Sequence, residues 1–531
     1  MSKVLMIGLD GATFDLLDPL MQDGIMPFLR SALERGVRAE LQSTRNPLTP
    51  PAWISMVTGR SPEVHGVHDF LRPEFSRDGS VFLRVNDSRD IGVETVWSMA
   101  SRQGKRVTSM NFFGMSPPFP IDGYMISGFV PWRHLRHATH PPEFFEALKS
   151  IEDLDYKNLG MDIGEEKKCV QGLLEGEHEA WIRLQSERDA AWARLTAHLM
   201  KTDRTDLTAV VLDGPDKLQH LFWRFLDPNL IERKPDEWFS RIRELCLDFY
   251  RQLDRTIKSL SELAGPETTV LLTSDHGFGP TVEVVFLNEW LAQQGHLKWK
   301  PEAESSGAEQ LTADKMRDHM AMIDWPETQA FCPTPSSNAI YVRRDPHQPD
   351  RVGGVPYMEF CQRLREQLLA FQDPADGSAV FTEVHLNRLE GIPYSEHTPD
   401  ITVRLRDGGF VSILKGPEER VVSPRAHADG THRPNGVFMA WGPGIVEGVQ
   451  AEPLSLLDIT PTILHLLDLA MPKELEGRLP SEIFLEEPVR KARAGSSVAT
   501  TAPVAASAAR EPSDDEREAL LRQMKLLGYM D

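Results

Sequence analysis

Three short apolar runs in this chain each stop at an aspartate. "KVLMIGLD" ends at Asp10, "LTAVVLDGPD" meets Asp213 and Asp216, and "TVLLTSDHG" reaches Asp275. Unbroken aliphatic and β-branched runs of this length suit strands covered on both faces, as in a parallel sheet. Helical patterns lie between them, at Gly24–Gly36 and Asp236–Gly265. The alternation predicts an α/β fold, with a largely parallel central sheet and helices on both faces. Ligands of such sheets bind beyond the carboxyl ends of the strands. Three strands each bring a carboxylate to that edge.

The charge balance narrows what can bind there. A formal net charge of −21 over 531 residues argues against binding nucleic acid by phosphate neutralisation and against anionic membrane surfaces. An anionic small-molecule substrate would need local positive charge, from Arg, Lys or metal ions. The cysteines, Cys169, Cys246, Cys332 and Cys361, are scattered; this spacing suits a reducing compartment and neither a disulfide framework nor a thiolate metal site. The opening "MSKVLMIGLDG" is too short in apolar residues for a signal sequence. No stretch approaches the ~20 apolar residues of a membrane span. The expectation is a soluble, cytoplasmic protein, with its oligomeric state open.

Residues 1–485 read as one catalytic unit with two insertions. The polar, helical segment 131–205, with Trp181 and Trp192 among many charges, is expected to form a cap over the sheet edge, and 296–324 a second insertion. Residues 486–513 are Ala/Ser/Pro-rich and read as a flexible linker. Residues 514–531 read as a short amphipathic helix.

One helix start carries a hydroxyl. In "NPLTPPAWISMVTG", Thr49 precedes Pro50 and Pro51, and proline is favoured in a first helical turn. Thr49 is expected as the N-cap, at a helix end that attracts anions. Further residues gather metal-ligand character. Asp216 and His220 are four apart, so a helix puts both on one face. Asp275 and His276 are adjacent, with Gly277 and Gly279 allowing close backbone approach. His432 stands in "GTHRPNG", just before the strand-like "VFMAW". Any one of these aspartates alone could simply shape a turn. Together with Asp10 they supply six Asp and His side chains, enough for two ions of the Zn²⁺ kind, with Thr49 placed to bridge or bind one. His65 in "EVHG" reads as structural.

The motifs "GLDG", "TPPAWISMVTGRSPEVHGV", "DGPDKLQH", "SDHGF" and "GTHRPNG", in this order, resemble the alkaline phosphatase superfamily, and within it the type I phosphodiesterase / nucleotide pyrophosphatase family. The resemblance runs from Val4 to about Pro480. It implies a metal-dependent phosphoester hydrolase acting through a covalent phospho-threonine. Asp10, Thr49, Asp275 and His276 would hold one zinc, with Thr49 the nucleophile; Asp216, His220 and His432 would hold the second, with manganese as the alternative metal. Asp213 rivals Asp216, and His427 rivals His432; the family's four-residue Asp–His spacing and Gly-x-His context favour Asp216 and His432. The family's phosphoryl-binding Asn has no counterpart: ungapped alignment puts Phe70 there, after Asp69, and Asn111 is the candidate substitute. Sulfatases need a modifiable Cys or Ser and an Arg where this chain has Thr49-Pro50-Pro51-Ala52-Trp53. Phosphoglycerate mutases of this superfamily carry a serine and a longer insertion. A phosphomonoesterase or another phosphoryl or sulfuryl hydrolase of the superfamily, and a non-catalytic metal-binding protein, are the alternatives. No motif names the substrate.

Overall fold

The computed structural model describes residues 3–486, apart from 76–80, 172, 232–234, 302, 304–318, 336, 346, 389–394 and 396. The expected helix over 514–531 and the linker beyond 486 lie outside these residues.

The apolar runs do form strands. β1 (Lys3–Leu9), β2 (Gly36–Gln42), β3 (Val107–Phe112), β4 (Gly123–Ser127), β5 (Leu207–Leu212) and β6 (Thr268–Thr273) belong to a ten-stranded sheet. The antiparallel pair β7 (Gly277–Phe286) and β8 (Val422–Arg433) follows, and β9 (Asn435–Trp441) re-enters the main sheet. The order across the middle of that sheet is β2-β9-β6-β1-β5-β3-β4. β1 pairs in parallel with β5 and β6, and β3 with β5 and β4, whereas β9 runs antiparallel between β2 and β6. The three aspartate-bearing strands are thus neighbours, β6-β1-β5, and their carboxyl ends share one stretch of edge.

Alternation along β1 shows why both faces are covered. Leu5, Ile7 and Leu9 enter one apolar core, Val4 and Met6 the other. The second core includes α1 (Thr49–Thr58); the first receives α2 (His178–Thr202), α3 (Gly214–Leu226) and α4 (Glu237–Ala264).

Two expectations change here. The main helix of the 131–205 segment is not a cap. α2 lies on the face of the sheet, packed against α4 and β5, and Trp181 and Trp192 are buried in the core. The reason is a stripe at helical spacing, Trp181, Trp192, Leu195 and Leu199, that many surface charges mask in the composition. Of the insertion expected at 296–324, residues 302 and 304–318 lie outside the described residues; Leu297, Met320 and Ile323 from its two ends join a larger module. Strands at Ala330–Phe331, Ala339–Val342, Phe381–Leu386 and Ile401–Leu405, with a helix at Tyr357–Ala370, enclose a third core of their own. Among the described residues no helix is long and apolar enough to cross a membrane.

Candidate active site

The site is assembled at the carboxyl edge of β6-β1-β5. Asp10 follows β1 directly and Asp275 lies two residues past β6, so neighbouring strands place their carboxylates together. Asp216 and His220 come from the start of α3, the helix after β5. His432 arrives by pairing: β7 and β8 run antiparallel with Phe278 opposite His432. The His276 and His432 rings stack with centroids 3.8 Å apart. Gly277 is required by this close approach, since a Cβ there would lie 2.0 Å from the Asn435 carbonyl oxygen.

Two ligand groups result. Asp10, Asp275 and His276 offer atoms within 4.8 Å of one another, and so do Asp216, His220 and His432. Nε2 of His276 is 3.6 Å from Asp10 Oδ1, 3.2 Å from Asp275 Oδ2 and 4.0 Å from Asp216 Oδ1. Asp216 Oδ1 is 3.4 Å from His220 Nε2 and 3.2 Å from His432 Nε2. Thr49 Oγ1 lies 3.4 Å from His276 Nε2.

The outer contacts fix which atoms are free. Each imidazole uses Nδ1–H to donate to a backbone carbonyl: His220 to Gly430 (3.2 Å), His276 to Gly277 (3.1 Å) and His432 to Pro47 (3.0 Å). A carbonyl can only accept, so in the neutral ring the Nε2 lone pair points into the site. Asp10 Oδ2 accepts from Trp53 Nε1 and Asp275 Oδ1 from the Gly11 N–H, both at 3.2 Å. The remaining oxygens, Asp10 Oδ1, Asp275 Oδ2 and Asp216 Oδ1, are buried and meet no donor among the described residues. Buried carboxylate oxygens without donors are costly. Three of them facing three imidazole lone pairs fit a pair of divalent cations with oxygen and nitrogen ligands.

The electrostatics agree. Burial, then the charges of Asp275 and Asp216, hold the Asp10 carboxyl well above its usual range, and burial does the same to Asp275. Burial pulls His276 and His432 down, keeping them neutral. Burial opposes charge on both Asp216 and His220, yet their mutual attraction prevails, lowering the carboxyl and raising the imidazole, so a proton on His220 Nε2 competes with a cation for that lone pair. Positive charge is what this cluster lacks.

Thr49 is not the N-cap. Leu48 occupies that position and Thr49 is the first residue of α1. A capping Thr49 would accept from the second or third helical N–H, at Pro51 or Ala52; Pro51 has none, and the Ala52 N–H goes to the Leu48 carbonyl at 3.1 Å. The Thr49 hydroxyl is thereby left for the metal-ligand side of the helix end.

The rivals go elsewhere. His427 is exposed. Asp213 turns away from the histidines: Oδ2 accepts from Arg188 Nη2 at 3.2 Å and Oδ1 from Asn111 Nδ2 at 3.2 Å. Asn111 is fully buried and also donates to the Val211 carbonyl, so it joins Asp213 rather than Thr49. Asp69 is buried against Thr334 and held up to about 6, chiefly by burial, while Phe70 packs on Phe113 and Phe129. His65 bonds Ser55 Oγ and the Val67 N–H.

A clamp around the first turn of α3 escaped the sequence reading. Asp189 Oδ1 accepts the Gly214 N–H at 3.1 Å, Arg188 pairs with Asp213, and Lys217 pairs with Glu166. These contacts flank Asp216 on both sides. The signal was available: Gln185 and Arg188 interrupt the apolar stripe Trp181-Trp192-Leu195-Leu199 at helical spacing, where a polar residue implies a buried partner.

A doubly covered, largely parallel sheet with a threonine and two Asp/His groups at its carboxyl edge fits a phosphoester hydrolase of the alkaline phosphatase superfamily, and the family match places the chain there. The family model described as type I phosphodiesterase / nucleotide pyrophosphatase matches residues 4–432, and the chain belongs to that family. Among solved structures, human ectonucleotide pyrophosphatase / phosphodiesterase 5 is similar, with TM-score 0.51 and 16% identity, covering 91% of this chain and 100% of its own. The murine protein of that name gives 0.48 and 15% over 88% and 95%. An inactive murine variant in complex with AMP gives 0.49 and 15% over 88% and 96%. At these identities the likeness concerns the fold. No curated protein matches the chain.

Proposed function

We propose that the protein hydrolyses phosphodiesters through Thr49, with two divalent cations, zinc in the first instance and manganese as the alternative. Asp10, Asp275, His276 and Thr49 would hold one, and Asp216, His220 and His432 the other. The observation that carries the reading is the set of three buried carboxylate oxygens without donors, facing three Nε2 lone pairs beside the Thr49 hydroxyl. When bound, the cations favour the deprotonated threonine and neutralise charge on the phosphoryl oxygens.

The chain's own residues do the rest. Thr49 stands at a helix N-terminus, where the macrodipole favours an anionic phosphoryl group. Its Oγ1 bonds to phosphorus as the bond to the leaving oxygen breaks, giving a phospho-threonine and a free alcohol. Water then cleaves the phospho-threonine, releasing the monoester and restoring the hydroxyl. Trp53, Gly11 and the carbonyls of Gly277, Gly430 and Pro47 keep the ligand side chains in orientation throughout, because each occupies the atom of a ligand that faces away from the site.

The test is hydrolysis of bis-p-nitrophenyl phosphate, p-nitrophenyl phosphate and a nucleoside p-nitrophenyl ester by protein supplied with Zn²⁺ or Mn²⁺, followed by acid quench and peptide mapping. The diesters are expected to turn over faster than the monoester, and a phosphoryl group, still carrying the retained arm when it comes from a diester, to be found on Thr49. No turnover of any ester with either metal, or label on another residue, would overturn the reading.

A further inference from the structure

Phe278 sits directly across from His432 in the register that pairs β7 with β8. Its ring is fully buried and lies among all three imidazoles of the two ligand groups. Between centroids the His220 ring is 4.8 Å away, the His432 ring 5.4 Å and the His276 ring 6.2 Å. Trp223, three residues along α3 from His220, stacks on the same ring at 5.9 Å with the planes 24° apart. The Trp223 indole is itself held, donating to Asp227 Oδ2 at 3.0 Å.

Backbone closes on this ring at two of its edges. A Cβ at Gly11 would come within 2.9 Å of Phe278 Cδ2, and one at Gly430 within 2.6 Å of Cε1. Both glycines are tied to ligand side chains. The Gly11 N–H donates to Asp275 Oδ1, and the Gly430 carbonyl accepts from His220 Nδ1, each at 3.2 Å. Phe278 therefore bears on His276 and the Asp275 anchor in one ligand group, and on His432, His220 and the His220 anchor in the other.

A ring in this place supplies a restraint that the hydrogen bonds leave open. The bond from Nδ1 fixes one nitrogen of an imidazole against a carbonyl. Rotation about the second side-chain torsion of histidine is broad, and it still swings Nε2, the atom that would meet a cation. A buried wall limits that swing. Resting on the metal-binding reading above, we infer that Phe278 is a positioning residue: its ring, wedged between Gly11 and Gly430 and backed by Trp223, fixes the planes of the ligand imidazoles, those of His220 and His432 most closely. Losing the ring loosens the cation of the Asp216, His220 and His432 group more than the other.

Phe278→Leu and Phe278→Met test this, since both keep an apolar side chain and remove the plane. Met, unbranched and with three rotatable bonds, adapts best to the space. Phe225→Leu is the packing control: Phe225 is equally buried, on the helix that carries Asp216 and His220, and its ring packs on Phe222, Trp238 and Phe239. Two readouts need no turnover, namely Zn²⁺ competition against a chromophoric chelator and the visible absorption of Co²⁺-loaded protein. The wild type is expected to take up two ions per chain. In both Phe278 variants one ion is expected to bind roughly tenfold or more weakly, with a changed Co²⁺ spectrum, while the other stays within about threefold. Phe225→Leu is expected to lower Tm and leave both affinities and the spectrum as in the wild type. Unchanged affinities and spectrum in the Phe278 variants, or an equal loss in Phe225→Leu, would overturn the inference and leave the metal reading standing. Wild-type protein that takes up neither Zn²⁺ nor Co²⁺ would overturn the metal reading, and this inference with it. Should Phe278→Leu fail to fold, Phe278→Met decides by the same readouts.

Discussion

Asp10 and Asp213 begin as the same thing: a buried aspartate one residue past a central parallel strand. β1 and β5 are adjacent, and the two residues are each 1% exposed. Their surroundings differ. Asp213 receives a guanidinium and an amide, from Arg188 and Asn111. Asp10 receives the Trp53 indole on one oxygen and nothing on the other, while Asp275 and Asp216 add like charge. A buried carboxylate with a protein cation has its charge matched, and one with only acids and imidazoles around it gains from any cation that enters. The contrast is made entirely by neighbours.

The largest effect should come from Thr49, the proposed nucleophile, which stands beside His276 on the Asp10 side of this contrast without being one of its acids. Thr49→Ala is expected to lose roughly three or more orders of magnitude in kcat while keeping its metal and its Tm within a few degrees. Thr49→Ser, which keeps the oxygen, should retain substantial activity. An Ala variant working at near wild-type rate would remove Thr49 from the chemistry.

Chelation comes next, because it acts on the Asp10 side alone. Removing bound cations with EDTA should abolish turnover and lower Tm. With free metal a thousandfold above Kd each site contributes about 4 kcal/mol. Elemental analysis showing no divalent metal in active protein, or an unchanged Tm after chelation, would end the contrast.

The Asp213 side can be broken separately. Asp213→Leu takes from the buried Arg188 its fully buried carboxylate and leaves it only Glu166, at 3.4 Å; breaking a buried pair costs up to about 3–5 kcal/mol. Denaturant unfolding should show that loss while metal content per chain stays as in the wild type. A variant of undiminished stability that lost its metal would make Asp213 a ligand after all.

The smallest effect sharpens the comparison through pH. The Asp10 and Asp275 carboxyls are raised chiefly by burial. A raised folded-state value stabilises the fold below the ordinary carboxyl value of about 4, and that contribution is lost as pH climbs through the raised value. The metal-free protein should therefore lose Tm as pH rises above about 4, and Asp10→Asn should flatten the slope. The loaded protein should behave oppositely: His276 and His432, which burial holds below the ordinary imidazole value, protonate and release metal once pH falls below that ordinary value far enough to reach them. Parallel curves for loaded and metal-free protein would contradict the assignment.

Local sequence was enough for the strands, for the α/β class and for the Asp and His side chains that the fold gathers at one edge. A doubly buried strand must be an unbroken apolar run, and ligands at such a strand's end must be Asp or His within a few residues of it. Asp216 and His220 needed only the helical period. What depends on distant residues was not legible. Whether an aspartate is paired is decided by α2, whose Arg188 lies 25 residues from Asp213, and the polar face of that helix was hidden among surface charges. Pro51, which has no N–H to give a cap, was legible as a mark against Thr49 capping, yet the direction of the Thr49 hydroxyl is set by His276, 227 residues away. His432 joins the site only because β8 pairs with β7 in one register, and a slip of one residue would turn its ring to the other face. The sequence by itself determined which side chains could bind a cation; the tertiary structure decided which were left without a partner. Burial makes an unmatched charge expensive, and burial is a property of the packed fold.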